Sequence, residues 1–360
     1  MSFADRLAAA HARLQTIAVT GTNGKTTTTS MVASIVAAAG EPCARVTTVG
    51  AFVDDERITG ADLTDEFLLT VERAVERGVR TIAIEMTSKA LAGGIARTWR
   101  PDVGVVTNVT RDHLDLHGTP EAYLAAKAQI VIALAPGGTA VLNANDPHSA
   151  LIAEVVPAGV AIAWFSQTGN VLAKNAAAAT LACRALGYAD DVIARGLATF
   201  PGVPGRFEIV ARDPLVVVDY AHTPDGLETT LASARELGRR VICVFGCGGN
   251  RDRGKRPEMG AIADRDADIA ILTTDNPRFE DPGAIANDIL DGVPAPRAEW
   301  IVELDRERAI VRALELAQPA DIVVIAGKGH EQIQEIAGAA IAFSDVETVR
   351  RYRSSSSQGA

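Results

Sequence analysis

Short apolar runs alternate with helical stretches along most of the chain. Gln15–Thr20 and Thr81–Glu85 are continuous apolar segments bounded by polar residues, a pattern typical of parallel strands covered on both faces. Alanine, leucine and polar residues at helical spacing fill the intervals. This succession predicts βαβ units, and therefore an α/β fold with a mostly parallel sheet. Further strands are predicted at 103–107, 140–143 and 160–164, and helices at 26–39, 65–77, 119–133 and 174–186.

The length of 360 residues exceeds that of one ordinary domain and predicts two. Two prolines and two glycines fall within TFPGVPGR at 199–206, a composition typical of a domain boundary. Beyond it the α/β pattern restarts, with strands predicted at 215–220, 241–245, 269–273 and 322–326 and helices at 227–237 and 307–317. We expect one domain at 1–200, a second at 201–350 and a disordered tail at 351–360.

Composition excludes several classes of function. A formal net charge of −10 and only 4% aromatic residues argue against binding of nucleic acid. The 4 cysteines form neither a disulfide framework nor a zinc pattern, and are expected to be thiols in a reducing compartment. The N-terminal residues suit an amphipathic helix rather than a signal peptide, and no apolar run approaches membrane-spanning length. We therefore expect a cytoplasmic protein with no membrane partner.

The segment IAVTGTNGKTTTTSM runs from a predicted strand through a glycine-rich loop into a helix. Glycines let backbone amides face an anion, Lys25 adds a positive charge, and the helix N-terminus favours negative charge. Thr26 is placed to bind Mg²⁺. Val19 stands where the general Walker pattern has a glycine, so the match is to a shorter variant. Kinases, GTPases, ATPases and ligases all fit a phosphate loop of this kind, formed by Gly21, Thr22, Asn23, Gly24, Lys25, Thr26 and Thr27.

A second polar cluster follows the strand predicted at 103–107. Two histidines and two aspartates lie just after the strand, where ligands collect in α/β sheets, which points to metal or phosphate chemistry. Lys127 lies further along, in alanine-rich helical surroundings, and the residues alone do not single it out. The four polar residues are Asp112, His113, Asp115 and His117.

Taken together, the motifs are similar in order and spacing to those of the Mur ligases, the ATP-dependent peptide ligases of cell-wall synthesis, and within them to the MurE type. The resemblance extends from residue 17 to residue 343. It is carried by GTNGKTTT (21–28), EMTSKAL (85–91), TNVTRDHLDLHGTPEAYLAAK (107–127), FPGVPGRFE (200–208), VVDYAHTPDGLE (217–228), FGCGGNRDRGKRP (245–257), DNPRFEDP (275–282) and AGKGHE (326–331).

The resemblance implies a P-loop-type ATPase domain followed by a Rossmann-like α/β domain. It also implies that ATP phosphorylates a carboxylate to an acyl phosphate, which the amine of an amino acid attacks, releasing ADP and phosphate. Lys25 would hold phosphates, Thr26 and Glu85 one Mg²⁺, and His113 a second. Lys127 matches the lysine that this family carbamylates. The implied catalytic residues are Lys25, His113 and Lys127, and the implied metal ligands are Thr26, Glu85, His113 and Lys127.

Further contacts to the nucleotide follow from the same resemblance. Asn175 matches the asparagine on the adenine side, and Arg206 matches an arginine that contacts phosphate. Asp219 and His222 match nucleotide contacts from the second domain.

The amino-acid end of the reaction is also indicated. Arg278, in the segment DNPR, resembles the arginine of members that add meso-diaminopimelate, and a guanidinium binds a carboxylate through two parallel hydrogen bonds. Glu331 would pair with an ammonium. The resemblance therefore implies a diamino dicarboxylate, or a similar amino acid, bound by Asp275, Asn276, Arg278, Gly327 and Glu331.

The chain departs from the family pattern on the side of the carboxylate substrate. Only about twenty residues precede the loop, which predicts that the family's N-terminal uridine-nucleotide domain is absent, and a strand-rich insertion after residue 147 is shortened. Lys89 replaces a histidine, residues 63–65 replace a Thr-Thr-Pro, and Leu172 replaces an asparagine. We therefore expect an active ligase whose acceptor is a small carboxylate of a specialised pathway, rather than the usual UDP-muramyl peptide.

Two other interpretations stay open. The chain could be a cell-wall ligase whose nucleotide-binding domain comes from a partner protein, or a non-catalytic nucleotide-binding subunit. Self-association into a homo-oligomer is also open.

Overall fold

The computed structural model describes residues 2–237 and 240–356. The chain divides into two compact units. Unit 1 comprises the residues up to Thr168 together with Leu172–Pro201, and unit 2 comprises Gly169–Val171 and the residues from Gly202 onward. The division at Pro201 lies next to the expected boundary, and only the short segment Gly169–Val171 departs from a single cut.

Unit 1 is built on a sheet in the strand order β4-β3-β2-β5-β1-β6-β7-β8. The strands from β2 to β8 along this order pair in parallel, which confirms the predicted fold class. The chain adds β2 and β5 on one side of β1 and then β6 to β8 on the other. The strands are β1 (Gln15–Thr20), β2 (Cys43–Thr47), β3 (Gly50–Val53), β4 (Glu56–Ile58), β5 (Thr81–Glu85), β6 (Val103–Val106), β7 (Thr139–Asn143) and β8 (Ala161–Phe165).

Both faces of this sheet are covered, because alternate residues of its central strands enter different cores. Ile17 and Val19 belong to one apolar cluster, whereas Ala18 between them belongs to the other. This two-sided burial explains the continuous apolar runs of the sequence. The helices are α1 (Phe3–His11), α2 (Lys25–Ala38), α3 (Leu63–Glu76), α4 (Ser88–Ala92), α5 (Ile95–Thr98), α6 (Leu114–His117), α7 (Pro120–Ile132), α8 (Pro147–Glu154), α9 (Val171–Ala185) and α10 (Asp190–Ala198).

The edges of the unit 1 sheet differ from the prediction. The hairpin formed by β3 and β4 extends one edge with antiparallel pairing, and its short strands carry no long apolar run that could have predicted it. The segment predicted as a buried strand at 160–164 forms β8 at the other edge. There Ile162 and Trp164 are 39% and 46% exposed, because an edge strand has a neighbour on one side only.

Helix α2, which continues from the glycine-rich loop, is held closely by α10. Gly196 of α10 lies against the backbone of Ile35, where an added Cβ atom would approach the Ile35 Cα to 2.4 Å. Ser34 donates a hydrogen bond to the Gly196 carbonyl at 2.7 Å. A glycine in α10 therefore allows close packing that fixes the helix behind the loop.

Unit 2 contains a second α/β sheet in the order β13-β12-β11-β14-β10-β9. Its strands pair in parallel except for β9, which runs antiparallel to β10. A separate antiparallel hairpin is formed by β15 and β16. The strands are β9 (Glu208–Arg212), β10 (Leu215–Asp219), β11 (Val241–Phe245), β12 (Ile269–Leu272), β13 (Glu299–Val302), β14 (Ile322–Ala326), β15 (Ile333–Ile336) and β16 (Ala339–Ala342).

The helices of unit 2 include one that the sequence analysis assigned in part to a disordered tail. The expected tail at 351–360 is helical as far as Ser356, and residues 357–360 lie outside the described residues. The fully buried ion pair of Asp345 with Arg306 anchors the first turn of this helix, and Val349 adds a buried apolar contact. The helices are α11 (Pro224–Arg235), α12 (Lys255–Asp266), α13 (Pro282–Leu290), α14 (Arg306–Leu316) and α15 (Asp345–Ser356).

The four cysteines are free and buried, as expected. Burial raises the pKa of each thiol to about 12, so none is an activated nucleophile. Within the described residues, no helix is both long enough and apolar enough to cross a membrane.

Candidate active site

The site of unit 1 lies where adjacent parallel strands end. In the order β2-β5-β1-β6, Glu85 ends β5, and the other three strands are followed by Thr48, Gly21 and Thr107. Parallel pairing brings all four ends to one edge of the sheet, and the order of addition reverses at β1. Residues far apart in the sequence therefore meet around the glycine-rich loop.

The loop is held in place by the end of β6. The amides of Thr22 and Asn23 donate to the carbonyl and the side-chain Oδ1 of Asn108, both at 2.9 Å. Thr107 donates to the Asn23 carbonyl at 2.6 Å. Gly21 has a φ of 153°, and an added Cβ atom would lie 1.8 Å from the Thr107 Oγ1. Only glycine allows this close approach.

The helix that follows begins without a side-chain cap. Gly24, at the cap position, adopts a left-handed conformation with φ 82°. The first amides of a helix have no partner within it, so those of α2, which begins with Lys25, Thr26 and Thr27, suit an anion. Lys25 donates to the Thr22 carbonyl at 2.8 Å, which keeps its charge at the loop. The arrangement fits a phosphate group.

Asn175 of α9 lies directly against this loop. A Cβ atom added at Gly24 would lie 2.3 Å from the Asn175 Oδ1. The asparagine is buried, so the structure places a predicted nucleotide contact beside the phosphate loop within the same unit.

Glu85, at the end of β5, bridges one predicted site residue and one that sequence analysis missed. Its Oε2 accepts a hydrogen bond from the hydroxyl of Thr26 at 2.8 Å and one from the amide of Thr48 at 3.0 Å. A carboxylate and a hydroxyl are the hard oxygen ligands that Mg²⁺ prefers, together with phosphates and water. The pair fits Mg²⁺. Sequence analysis missed Thr48, although its position directly after β2 follows the same rule of strand ends.

Lys127 is buried, with 1% exposure. Its Nζ donates to the Gly21 carbonyl at 2.5 Å and lies 4.5 Å from the centre of the Tyr123 ring. Burial, assisted by the positive charge of Lys25, holds the pKa of Lys127 well below its usual value. The lowered pKa favours the neutral, nucleophilic form of this amine beside the loop.

The polar cluster after β6 is arranged more loosely. His113 has a positive φ of 50°, its side chain is half exposed, and its Nε2 lies 3.4 Å from the Asp112 Oδ2. The Nε2 of His117 lies 3.0 Å from the Ser88 hydroxyl. The side chain of Asp115 lies outside what the structure describes. Among the described residues, no three of the types His, Cys, Asp and Glu form a group that could hold a metal alone.

In unit 2, as in unit 1, the candidate site lies where adjacent parallel strands end. Along the order β12-β11-β14-β10, the strands are followed by Thr273, Gly246, Gly327 and Tyr220. Most predicted residues of the second domain follow or end these strands, and so lie along one edge of the sheet. Arg206 instead precedes β9, whose antiparallel pairing with β10 brings it to the same edge.

Arg206 and Asp219 lie on the β10 side. The Arg206 guanidinium stacks over the ring of Tyr220 at 4.4 Å, and its buried Nε has no hydrogen-bond partner among the described residues. Asp219 accepts from the amide of Phe207 at 2.6 Å and from the hydroxyl of Thr230 at 2.9 Å. Desolvation raises the pKa of Asp219 despite the opposing charge of Arg206. Arg206 thus offers a donor that suits a phosphate oxygen.

His222 lies next to this pair. Its Nδ1 is 2.8 Å from the Tyr220 carbonyl, and its own carbonyl accepts from Lys255 at 2.6 Å. The rings of His222 and His330 both pack against Tyr220, at 4.5 and 5.2 Å between centroids.

Asp275 occupies a confined position between β12 and β14. Its Oδ1 accepts from the Asn276 amide, whereas its buried Oδ2 has no hydrogen-bond partner among the described residues. A Cβ atom at Gly327 would lie 2.5 Å from this Oδ2, so the glycine makes room for the carboxylate. Burial raises the pKa of Asp275, and the charges of Arg306 and Lys328 oppose that rise.

Asn276 and Glu331 are joined by a lysine that sequence analysis missed. Lys328 is fully buried and donates to the Asn276 Oδ1 at 2.9 Å and to the Glu331 Oε2 at 2.7 Å. Asn276 donates in turn to the same Glu331 oxygen at 2.8 Å. Burial would raise the pKa of Glu331, but these hydrogen bonds outweigh it and hold the pKa below its usual value.

Arg278 is positioned by its backbone as well as its side chain. It adopts a positive φ of 53°, and its amide and carbonyl pair with Glu335 and Ala337 around β15. The guanidinium binds the Glu335 carboxylate at 2.7 Å and the Gly249 carbonyl at 2.9 Å. Arg278 has five N–H donors, and those that the described residues do not engage could bind a carboxylate ligand.

The sequence matches two family models along most of its length. Residues 19–195 match the Mur ligase middle domain, and residues 205–329 match the Mur ligase, glutamate ligase domain.

Curated relatives cover the chain almost completely. It is 39% identical over 383 residues to the UDP-N-acetylmuramoyl-L-alanyl-D-glutamate-2,6-diaminopimelate ligase of Geobacillus kaustophilus (strain HTA426), covering 94% of this chain and 78% of the relative. It is 40% identical over 386 residues to the enzyme of the same name from Thermosynechococcus vestitus (strain NIES-2133 / IAM M-273 / BP-1), covering 94% of this chain and 76% of that one.

Solved structures agree with this relationship. A structure of UDP-N-acetylmuramoyl-L-alanyl-D-glutamate-2,6-diaminopimelate ligase superposes with a TM-score of 0.65 at 33% identity, covering 95% of this chain and 79% of that one. Escherichia coli FolC in complex with DHPP and ADP superposes with a TM-score of 0.71 at 21% identity, covering 99% of this chain and 93% of that one. The second similarity is one of fold.

The buried Lys127 predicts an unusual stability profile. Replacing Lys127 with Met should raise the free energy of unfolding at pH 7 by on the order of 1–4 kcal/mol, because an apolar side chain avoids the cost of burying an amine that is charged in the unfolded chain. Since the folded pKa lies below that of the unfolded chain, the unfolded state binds the extra proton between the two values. The difference in the free energy of unfolding between Lys127→Met and the wild type should therefore shrink as the pH rises toward 10.5.

Urea unfolding at pH 7 and pH 10 in CO₂-free buffer measures this effect. Lys89→Met, at an exposed lysine of the same unit, is the control and should change little at either pH. A Lys127→Met variant less stable than the wild type at pH 7 would contradict the argument.

Proposed function

This chain belongs to the Mur ligase family, and from that premise we propose that it joins a diamino dicarboxylate to a carboxylate acceptor by way of an acyl phosphate. It is an ATP-dependent, ADP-forming ligase. The observation that carries the proposal is that one chain contains both a phosphate loop, in unit 1, and the side chains of Arg278 and Glu331, in unit 2. Its buried free thiols suit the reducing cytoplasm in which we place it.

The residues of unit 1 supply the phosphate chemistry. The first amides of α2 and Lys25 would hold phosphate oxygens, while Thr26 and Glu85 would hold Mg²⁺, and His113 a second ion. Bound Mg²⁺ neutralises negative charge as the phosphoryl group is transferred. Asn175 would meet the adenine side. Arg206, Asp219 and His222 of unit 2 would add nucleotide contacts.

Lys127 would serve as a carbamate. Its neutral amine attacks the carbon of CO₂. The N–C bond forms as one C=O π bond breaks and its electron pair moves to oxygen, and the nitrogen releases one proton, so that a neutral amine becomes an anionic carbamate. Such an anion could bind a metal ion, which a neutral or positive amine beside Lys25 does poorly. The depressed pKa and the burial of the amine support this reaction.

The protein would recognise the far end of the amino acid. Arg278 would bind the distal carboxylate, and Glu331 would bind the distal ammonium, with Gly327 giving close access to the backbone. Asp275 offers an unpartnered carboxylate oxygen beside that glycine. The Asn276 amide is engaged by Lys328, Glu331 and the Glu335 amide, so we assign it the task of orienting its neighbours.

Two acceptors are supported by different observations. A small carboxylate is favoured by the departures from the family pattern at Lys89 and residues 63–65, where both Lys89 and Leu63 are exposed. The second candidate, the UDP-N-acetylmuramoyl-L-alanyl-D-glutamate named in the relatives, is favoured by their identity of 39–40%.

Phosphate release tests the activity and separates the acceptors. The purified chain, ATP, Mg²⁺ and meso-2,6-diaminopimelate should release phosphate only when an acceptor is added. Small carboxylates are compared with UDP-N-acetylmuramoyl-L-alanyl-D-glutamate, and products are identified by mass spectrometry. Product formed with UDP-N-acetylmuramoyl-L-alanyl-D-glutamate but with none of the small carboxylates would overturn the small-carboxylate acceptor. Tight ATP binding without turnover for any combination of acceptor and amino acid would identify a non-catalytic subunit.

Replacing Arg278 with Lys tests the reading of the distal carboxylate. A lysine cannot form the two parallel hydrogen bonds, so KM for the diamino dicarboxylate should rise about 10- to 100-fold, as for loss of a charged hydrogen bond. KM for ATP should stay the same. Arg312→Lys, at an exposed arginine of α14, is the matched control. An unchanged KM for the amino acid in Arg278→Lys would exclude the proposed contact.

Carbamylation of Lys127 can be observed directly. Addition of ¹³C-bicarbonate should produce a carbamate carbon resonance in the spectrum of the wild-type protein, because the neutral amine is the reacting form. The resonance should be missing in Lys127→Met and present in Lys89→Met. A spectrum of the wild type without it would refute the modification.

A further inference from the structure

Lys328 is the fully buried cation at the candidate amino-acid site. Its side chain has no solvent exposure, and its Nζ lies within hydrogen-bond distance of Asn276 and Glu331. A ligand that approaches from solvent therefore meets the neighbours of Lys328 rather than its ammonium group.

The surroundings explain why a cation is needed at this place. Asp275 and Glu331 are both drawn out of water, and each raises the cost of ionising the other nearby carboxylate. Lys328 attracts both. The positive charge of Arg306 also favours ionisation of Asp275, but Arg306 forms its ion pair with Asp345. Lys328 is thus the cation bonded directly to Glu331 among the described residues.

The geometry also determines which oxygen of Glu331 is left for a ligand. Lys328 and Asn276 both donate to Oε2, and no described residue donates to Oε1. The side chain of Glu331 keeps 29% of its area exposed. One oxygen is therefore fixed by the protein, while the other remains an acceptor for an incoming donor.

We propose that Lys328 is a positioning residue for the amino-acid substrate, which holds Glu331 ionised and oriented so that Oε1 selects an ammonium group at the far end of that substrate. This inference rests on the proposed function. It assigns selectivity to a side chain that never touches the ligand. A neutral Glu331 would retain hydrogen bonding but lose the attraction that distinguishes an ammonium from an uncharged group.

The test uses Lys328→Met, which keeps the length of the side chain and removes its charge. KM for meso-2,6-diaminopimelate should rise about 10- to 100-fold, with KM for ATP unchanged. The KM of the variant should also fall more steeply with rising pH than that of the wild type, because removing Lys328 removes a charge that lowers the pKa of Glu331. Arg308→Met, at an exposed arginine of the same unit, is the control.

A double variant separates this role from that of a structural brace. If Lys328 acts through Glu331, Lys328→Met should add little to the KM effect of Glu331→Gln, since coupled residues are not additive. Independent effects that multiply, or a pH profile parallel to that of the wild type, would overturn the inference.

Melting temperatures provide a measurement that needs no turnover. Lys328→Met leaves Glu331 without its cation and should melt below the wild type, and addition of Glu331→Gln should recover part of the loss. A further decrease would contradict the inference. If the wild type shows no turnover, the proposed function fails, while the melting comparison still decides whether Lys328 controls the charge of Glu331.

Discussion

Parallel strand pairing is the constraint on which both candidate sites depend. Because neighbouring strands run in one direction, their carboxyl ends open at one edge, and the loops that follow them are forced together. In unit 1 this brings Glu85 to Thr26, although 59 residues separate them along the chain. In unit 2 it brings Asn276 to Lys328 across 52 residues. The chemistry is therefore a consequence of the topology, and the loops need only carry suitable side chains.

Two buried lysines show how the environment assigns different roles to one residue type. Lys127 is bonded to a carbonyl and lies near the cation Lys25, so its charge is unfavourable, which favours the neutral amine that the proposed carbamylation needs. Lys328 is bonded to a carboxylate, so its charge is compensated and serves to ionise Glu331. Burial alone predicts neither role, because the sign of the neighbouring charge decides between a reactive amine and a fixed cation.

Much of the fold and the local motifs could be predicted from the sequence, because two-sided burial leaves a continuous apolar run and the phosphate loop is contiguous. What required the structure was set by distant partners. Thr48 stands in a segment of ordinary appearance, and only strand order shows that it reaches Glu85. Lys328 lies within the AGKGHE motif, but only the structure shows that it is buried and reaches Asn276, 52 residues away. The same holds for Asp345, whose ion pair anchors the start of a helix that continues to Ser356, into the segment 351–360 for which the sequence predicted disorder.

Close packing within unit 2 joins the turn that carries Arg206 to the loop that ends at Glu331. An added Cβ atom at Gly205 would lie 2.0 Å from the His330 amide nitrogen, and one at Gly329 would lie 2.6 Å from the Gly205 carbonyl. The turn that presents Arg206 is thus in van der Waals contact with the loop that ends at Glu331, with no room for a side chain between them. Packed interiors transmit displacement rather than absorbing it. Under the proposed function, in which Arg206 contacts phosphate and Glu331 binds the amino acid, a displacement of one segment would be transmitted to the other, and this contact would couple the two halves of the reaction.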